Sequence, residues 1–306
     1  MLEPETIRLN ISPQGMVESL NFAGVEFVAS ISAQNDLFQV NLRDFVGNPL
    51  LLDSNDFGDV DTKEESGSFT IRFSDCRRFP GTTAKVSALV VDNEIRWRIE
   101  LTPGSKDFAV EWIDFPRVRL RRFNDGKYLL PFAEGTLISD LNAREAQASF
   151  HCCTAEYPMT GVSSFYPGPA AMQFEAFYTH DAGICFLCRD VEHSPKSIDF
   201  MPDGEAVRPV LQHFTGGKNM VDYEVATIGF HGNWQSAAEL YRYWMEENDP
   251  FLPAKLESRM PGWLADSPVI LIYPVRGSGL DHGGLNNNEY YPYIAALPVA
   301  ERYQKA

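Results

Sequence analysis

No apolar run in this sequence approaches the roughly 20 residues that a membrane-spanning helix needs; the longest are strand-length. Membrane-spanning helices are therefore excluded, and no membrane partner is expected. The N-terminus, MLEPETIRLN, has no basic n-region and no apolar h-region, so no secretory leader is visible. A cytoplasmic location is favoured, unless a leader has been removed. Cysteine is sparse: five in 306 residues. An odd number in a long chain is not a disulfide framework. Basic residues are also short, 26 against 42 acidic ones, for a net charge of −16. Phosphate contacts need Lys and Arg, so nucleic acid is not an expected partner. Internal repeats and low-complexity segments are absent.

What is present is a chain 44% hydrophobic and 12% aromatic, enough for a large core. From Ile7 to Phe230 apolar and polar residues alternate. Ile7, Leu9 and Ile11 share one face, as do Phe69, Ile71 and Phe73. The stretch KVSALVVDNEIRWRIEL predicts a hairpin turning at Asp92-Asn93, with Ile95, Trp97, Ile99 and Leu101 on one side. FAVEWIDFPRVRLRR predicts one strand, and AAMQFEAFYTHDAGICFLCRD a hairpin with Met172, Phe174, Ala176 and Tyr178 on one side. MVDYEVATIGF closes the series. About fifteen short strands suit a large two-sheet antiparallel β-sandwich, so the fold class is mainly β.

The periodicity changes at GNWQSAAELYRYWMEENDPF, where Trp234, Ala237, Ala238, Tyr241 and Met245 recur at helical spacing beside Trp244. Asn233 is the expected N-cap, and Pro250 stops the helix. Pro250, Pro253, Pro261 and Pro268 then mark a connector. Next comes VILIYPV, apolar throughout, then a glycine-rich loop and a helix from about Asn288 to Gln304. A continuous apolar strand followed by a helix is the start of a parallel α/β domain. The expected organisation is a sandwich over 1–231, a linker helix and Pro-rich connector over 232–267, and one βα unit over 268–306. A (β/α)8 barrel needs eight such units, about 250 residues, so the chain is expected to be a fragment cut after the first.

The order of sandwich, G-N-W-x-x-A-A-x-x-Y-R-x-W, P-x-W-L-x-x-x-P and a buried strand resembles bacterial glycoside hydrolases of the α-galactosidase-like kind. The stretches carrying it are 128–140, 164–190, 232–244 and 261–277. The resemblance implies a galactose-mutarotase-like sandwich preceding a truncated (β/α)8 catalytic barrel, a carbohydrate substrate, and the missing barrel as partner in cis. Catalysis in such barrels uses two carboxylates flanking the glycosidic bond. In the related families these lie on later strands, so no catalytic residue is carried over, and no cofactor is expected.

Candidate substrate-binding residues are Arg276, Asp281 and His282, in the loop after the barrel-like strand, where barrel sites are built. Tyr166, in FYPGP, is a fourth, as an exposed ring able to stack on a sugar; Gln173 is considered beside it. For both, turn and core packing is the alternative. Arg117, Arg119 and Arg121 alternate along one strand and read as a solvated face paired with carboxylates. Asp53–Glu65 gathers carboxylates in what reads as an exposed loop; Phe57 stands where an EF-hand needs oxygen. Cys152, Cys153, Cys185 and Cys188 could supply four thiols to zinc, but CICFLC reads as strand, without a turn to fold a metal knuckle. A mutarotase-type epimerase would need His and Glu in one cleft; His180 with Glu175, or His151 with Glu134, are candidate pairs, but no motif ties either together.

Three functions follow from these expectations. The first is an N-terminal accessory domain of a glycoside hydrolase, itself inactive. The second is a carbohydrate-binding module without chemistry, and the third a sugar epimerase within the sandwich.

Overall fold

The computed structural model describes residues 5–29, 35–132, 135–139, 164–248 and 297–304. In chain order the first strands are β1 Arg8–Ile11, β2 Val17–Phe22, β3 Val25–Glu26, β4 Gln39–Asp44, β5 Pro49–Asp53 and β6 Phe57–Glu65. Next come β7 Ser68–Cys76, β8 Thr83–Val91, β9 Glu94–Thr102, β10 Phe108–Asp114, β11 Leu120–Arg121, β12 Lys127–Leu130 and β13 Thr136–Ile138. The last six are β14 Ser164–Tyr166, β15 Phe174–Tyr178, β16 Gly183–Arg189, β17 Lys196–Asp203, β18 Ala206–Phe214 and β19 Glu224–Phe230. Helix α1 is Trp234–Asn248, and α2 is Leu297–Gln304.

The strands form a nine-stranded antiparallel sheet, β13-β12-β15-β16-β19-β9-β8-β7-β6, and a seven-stranded one, β14-β17-β18-β10-β4-β5, with β11 beside β18. A small sheet, β1-β2-β3, adds Leu9, Leu20 and Phe22 to the core. The large two-sheet sandwich expected from the alternation is the architecture found.

Its core is the space between the sheets. The Ile95–Leu101 face of β9, the Phe69–Phe73 face of β7, and Val40, Leu42, Ile198 and Leu211 from the seven-stranded sheet fill it. The β8–β9 hairpin turns at Asp92-Asn93, and Asp92 takes a left-handed φ of 53° that aspartate tolerates. A second apolar layer lies outside the nine-stranded sheet. There Phe174, Ala176 and Tyr178 of β15 meet α1, and Phe174 stacks on Tyr241 at 5.2 Å. β15 is thus buried on both faces. Asn233 caps α1 by accepting a hydrogen bond from Gln235 N–H at 2.9 Å. The buried stripe of α1 is Ala237, Tyr241 and Trp244, whereas Trp234 is 46% exposed.

Two expectations fail. Asp53–Glu65 is no loop. Asp53 caps a single 3-10 turn, and Phe57–Glu65 is the edge strand β6, paired with β7 through a turn at Ser66-Gly67, both at positive φ. An edge strand pairs on one side only, so charged side chains stay in water and block further pairing. The single strand predicted over 108–122 breaks instead. β10 stops at Asp114, Pro116 brings no N–H, and β11 holds only Leu120 and Arg121.

Candidate functional site

At one end of the sandwich the two sheets are joined by a buried polar network. Lys196, the first residue of β17, has no exposed surface. Its Nζ donates to Asp190 Oδ2 at 2.8 Å, Gln173 Oε1 at 2.7 Å and the Ser194 carbonyl at 2.6 Å. Three donors meet three acceptors, so the ammonium is saturated. It also lies 4.8 Å from the Tyr166 ring centre and 5.1 Å from that of Tyr223, within cation–π range. Asp190 follows β16 and Gln173 precedes β15, both strands of the nine-stranded sheet, whereas Lys196 belongs to the other. Asp190 and Ser194 are near Lys196 in sequence, whereas Gln173 is brought to it from the start of the preceding hairpin.

Burial works against the Asp190 charge, but the Lys196 ammonium and the Ser194 and Glu192 N–H groups outweigh it and hold the carboxyl below its usual range. On β18, His213 joins the same network. Its Nε2 is 2.8 Å from the Phe115 carbonyl and its Nδ1 is 2.7 Å from the Tyr223 hydroxyl. A carbonyl can only accept, so Nε2 carries the hydrogen and Nδ1 accepts. Burial pushes His213 down to about 4, opposed by the Phe115 bond and assisted by Lys196.

Asp190 and Tyr223 also close one end of an open cleft of about 700 Å³. Its floor is the outer face of the nine-stranded sheet and its wall is α1. On the floor Arg96, Glu94, Arg189, Glu224 and Arg98 form a continuous charge ladder. Arg96–Glu94 is 2.7 Å, Glu94–Arg189 2.6 Å, Arg189–Glu224 3.7 Å and Glu224–Arg98 3.1 Å. Arg189 Nε is buried and has no hydrogen-bond partner among the described residues. Strand alternation explains the ladder: on β9 the residues between Ile95, Trp97 and Ile99 point outward, and they are charged. Leu187, Ile228, Leu240 and Trp244 give the cleft an apolar side, and Tyr243, 52% exposed, stands on its rim.

Of the sequence candidates, Arg276, Asp281 and His282 lie outside the described residues, as do Cys152, Cys153, His151 and Glu134. Tyr166 is described and is buried rather than exposed. Its hydroxyl is 2.5 Å from His193 Nδ1 and its ring is covered by Lys196, because the inter-sheet network uses it. Gln173 is buried in the same network, donating to the Asp190 carbonyl at 2.9 Å. The stripe Arg117, Arg119, Arg121 is not a solvated face. Arg117 is 6% exposed between Asp36 at 2.9 Å and Asp114 at 2.7 Å, and Arg119 holds Asp203 at 2.7 Å; only Arg121 is exposed. Arg117 thus pairs with nearby Asp114 and distant Asp36, and Arg119 with distant Asp203, after the chain leaves β10 at Asp114. Cys185 and Cys188 are both buried but on opposite faces of β16, one toward α1 and one toward the inter-sheet core, so they share no metal. His180 and Glu175 do not meet in a cleft: Glu175 is buried and His180 is exposed. Lys196, Asp190 and the cleft ladder were missed. The local signal was a lysine and an aspartate in otherwise strand-like segments.

No family model matches the sequence, and no curated protein is similar to it in sequence. Solved structures do match. The α-N-acetylgalactosaminidase NagBb from Bifidobacterium bifidum, in its Gal-NHAc-DNJ complex, matches with a TM-score of 0.53 at 12% identity, over 81% of this chain and 38% of that one. Its GalNAc complex matches with a TM-score of 0.52 at 11% identity over the same shares. A galactose mutarotase related enzyme from Lactobacillus acidophilus matches with a TM-score of 0.44 at 11% identity, over 74% of this chain and 95% of that one. The chain thus spans well under half the length of the N-acetylgalactosaminidase. At these identities the likeness is one of fold.

Proposed function

We propose that this chain is the N-terminal β-sandwich domain of a glycoside hydrolase, and that it braces a catalytic (β/α)8 domain encoded beyond it. The observation that carries the reading is the match of a sandwich filling 81% of this chain to 38% of a glycosidase of the same fold. The sequence order Pro261, Trp263, Pro268 and then Val269–Val275 supports it, as the connector and first strand of a barrel. In this reading Arg276, Asp281 and His282 reach the barrel's substrate pocket, and the sandwich contributes rigidity rather than chemistry. The buried network agrees with that role: Lys196 has no spare donor, and both His213 nitrogens are occupied. An epimerase within the sandwich is disfavoured, since no histidine among the described residues lines the cleft beside α1.

The test is to express the 306-residue chain alone and together with the coding sequence that follows Ala306. Aryl α- and β-glycosides of galactose, glucose and N-acetylgalactosamine serve as substrates. Sugar release by the longer polypeptide and none by the shorter is expected. Hydrolysis by the 306-residue chain alone, or a stop codon directly after Ala306, sinks the reading.

A further inference from the structure

We propose that the cleft between α1 and the outer face of the nine-stranded sheet is a binding site for neutral mono- or disaccharides. Its volume of about 700 Å³ lies inside the range of roughly 300–1,000 Å³ typical of small-ligand sites. Its two sides match the two kinds of surface a sugar has. Leu240 on α1, half-buried, and the margins of the otherwise buried Trp244 and Ile228 offer a small apolar patch to ring C–H groups. Opposite them the ladder of guanidinium and carboxylate groups offers planar, paired donors and acceptors to vicinal hydroxyls. Tyr243, half exposed at the rim, is placed to cover a sugar face.

Charge decides against an anionic ligand. Glu94, Asp190, Glu192, Asp222, Glu224 and Glu247 line the cleft with three guanidinium groups; Lys196 neutralises Asp190 and Lys218 pairs with Asp222, which leaves four carboxylates against three guanidinium groups. A uronic acid or sugar phosphate meets net repulsion there, whereas a neutral sugar does not. The assignment rests on the carbohydrate reading above, but not on where hydrolysis occurs.

The experiment is saturation-transfer NMR and tryptophan fluorescence titration on the 306-residue chain. The probes are galactose, glucose, N-acetylgalactosamine, lactose and melibiose, with glucuronate as the anionic control. Saturable binding of at least one neutral sugar is expected, weakened about tenfold in Tyr243→Ala and in Arg98→Ala. Trp234→Ala, an exposed aromatic on the same helix outside the cleft, should bind as the unaltered chain does. No neutral sugar binding up to about 50 mM overturns the proposal. So does binding indifferent to both cleft variants, or a preference for glucuronate. Absence of binding here, with hydrolysis intact in the longer polypeptide, removes the cleft site and leaves the accessory-domain reading standing. Binding here without hydrolysis there does the reverse.

Discussion

Lys196, the first residue of β17, meets Asp190, the residue after β16, at 2.8 Å, with side chains 0% and 3% exposed. Such a pair is costly to break from one side, because the remaining charge is left buried without its partner. Asp190→Ala should cost about 3–5 kcal/mol, measured by urea denaturation. The double variant Asp190→Leu with Lys196→Met should recover much of that loss. A cost below about 1 kcal/mol for Asp190→Ala means that the pair does not hold the sheets.

His213 makes stability pH-dependent in a defined window. It is neutral in the fold, with its pKa lowered to about 4, while the unfolded chain protonates near 6.5. The unfolded state therefore binds more protons between those values, and stability falls as pH drops from 6.5 to 4. The contribution is about 3 kcal/mol. His213→Gln should flatten that part of the stability curve, even if it lowers stability at pH 7. The Asp190 carboxyl, held below its usual range, adds a further loss only at lower pH, as pH falls through its folded value. An unchanged slope in His213→Gln rules out the assignment.

Gly229 on β19 leaves room for one ring. A Cβ there would sit 2.4 Å from Phe22 Cδ2, and Phe22 is 3% exposed in the core. Gly229→Ala should destabilise by about 1–3 kcal/mol through overpacking, and the companion Phe22→Leu should relieve part of it. Calorimetry of the single and double variants checks this; strict additivity would show that the two positions do not clash.

Burial pushes the Cys188 thiol up to about 12, and Cys185, also buried, higher still. Thiolate is the reactive form, so both should resist iodoacetamide in the folded chain and react after unfolding. Mass spectrometry of the labelled peptides reads this. Rapid labelling of either cysteine in native buffer would contradict their burial.

The parts legible in sequence are those whose cause is local. The β8–β9 hairpin announces itself through period-two alternation around Asp92-Asn93, and α1 through its spacing of Ala237, Tyr241 and Trp244 and its Asn233 cap. The β15–β16 hairpin was legible for the same reason. Arg117 was misread because its neighbours, Asp36 and Gln39, are supplied by a segment some 80 residues earlier in the chain (Gln39 Oε1 at 3.1 Å). β6 was misread because its charges look like a loop until the pairing with β7 is known. The network around Lys196 draws on β14, β17 and β18 and on residues flanking β15, β16 and β19, and no short window of sequence contains it. Candidates in the loop after Val275 fall outside the described residues.

β15 has no solvent face: one side lies against the other sheet and the other against α1. The sandwich therefore does not finish where its last strand does. A polypeptide ending at His231 would bare Phe174, Ala176 and Leu187 to water as one sticky patch. Anyone cutting this domain out for crystallisation should keep the chain through Asn248, so that the helix travels with the sheet it seals.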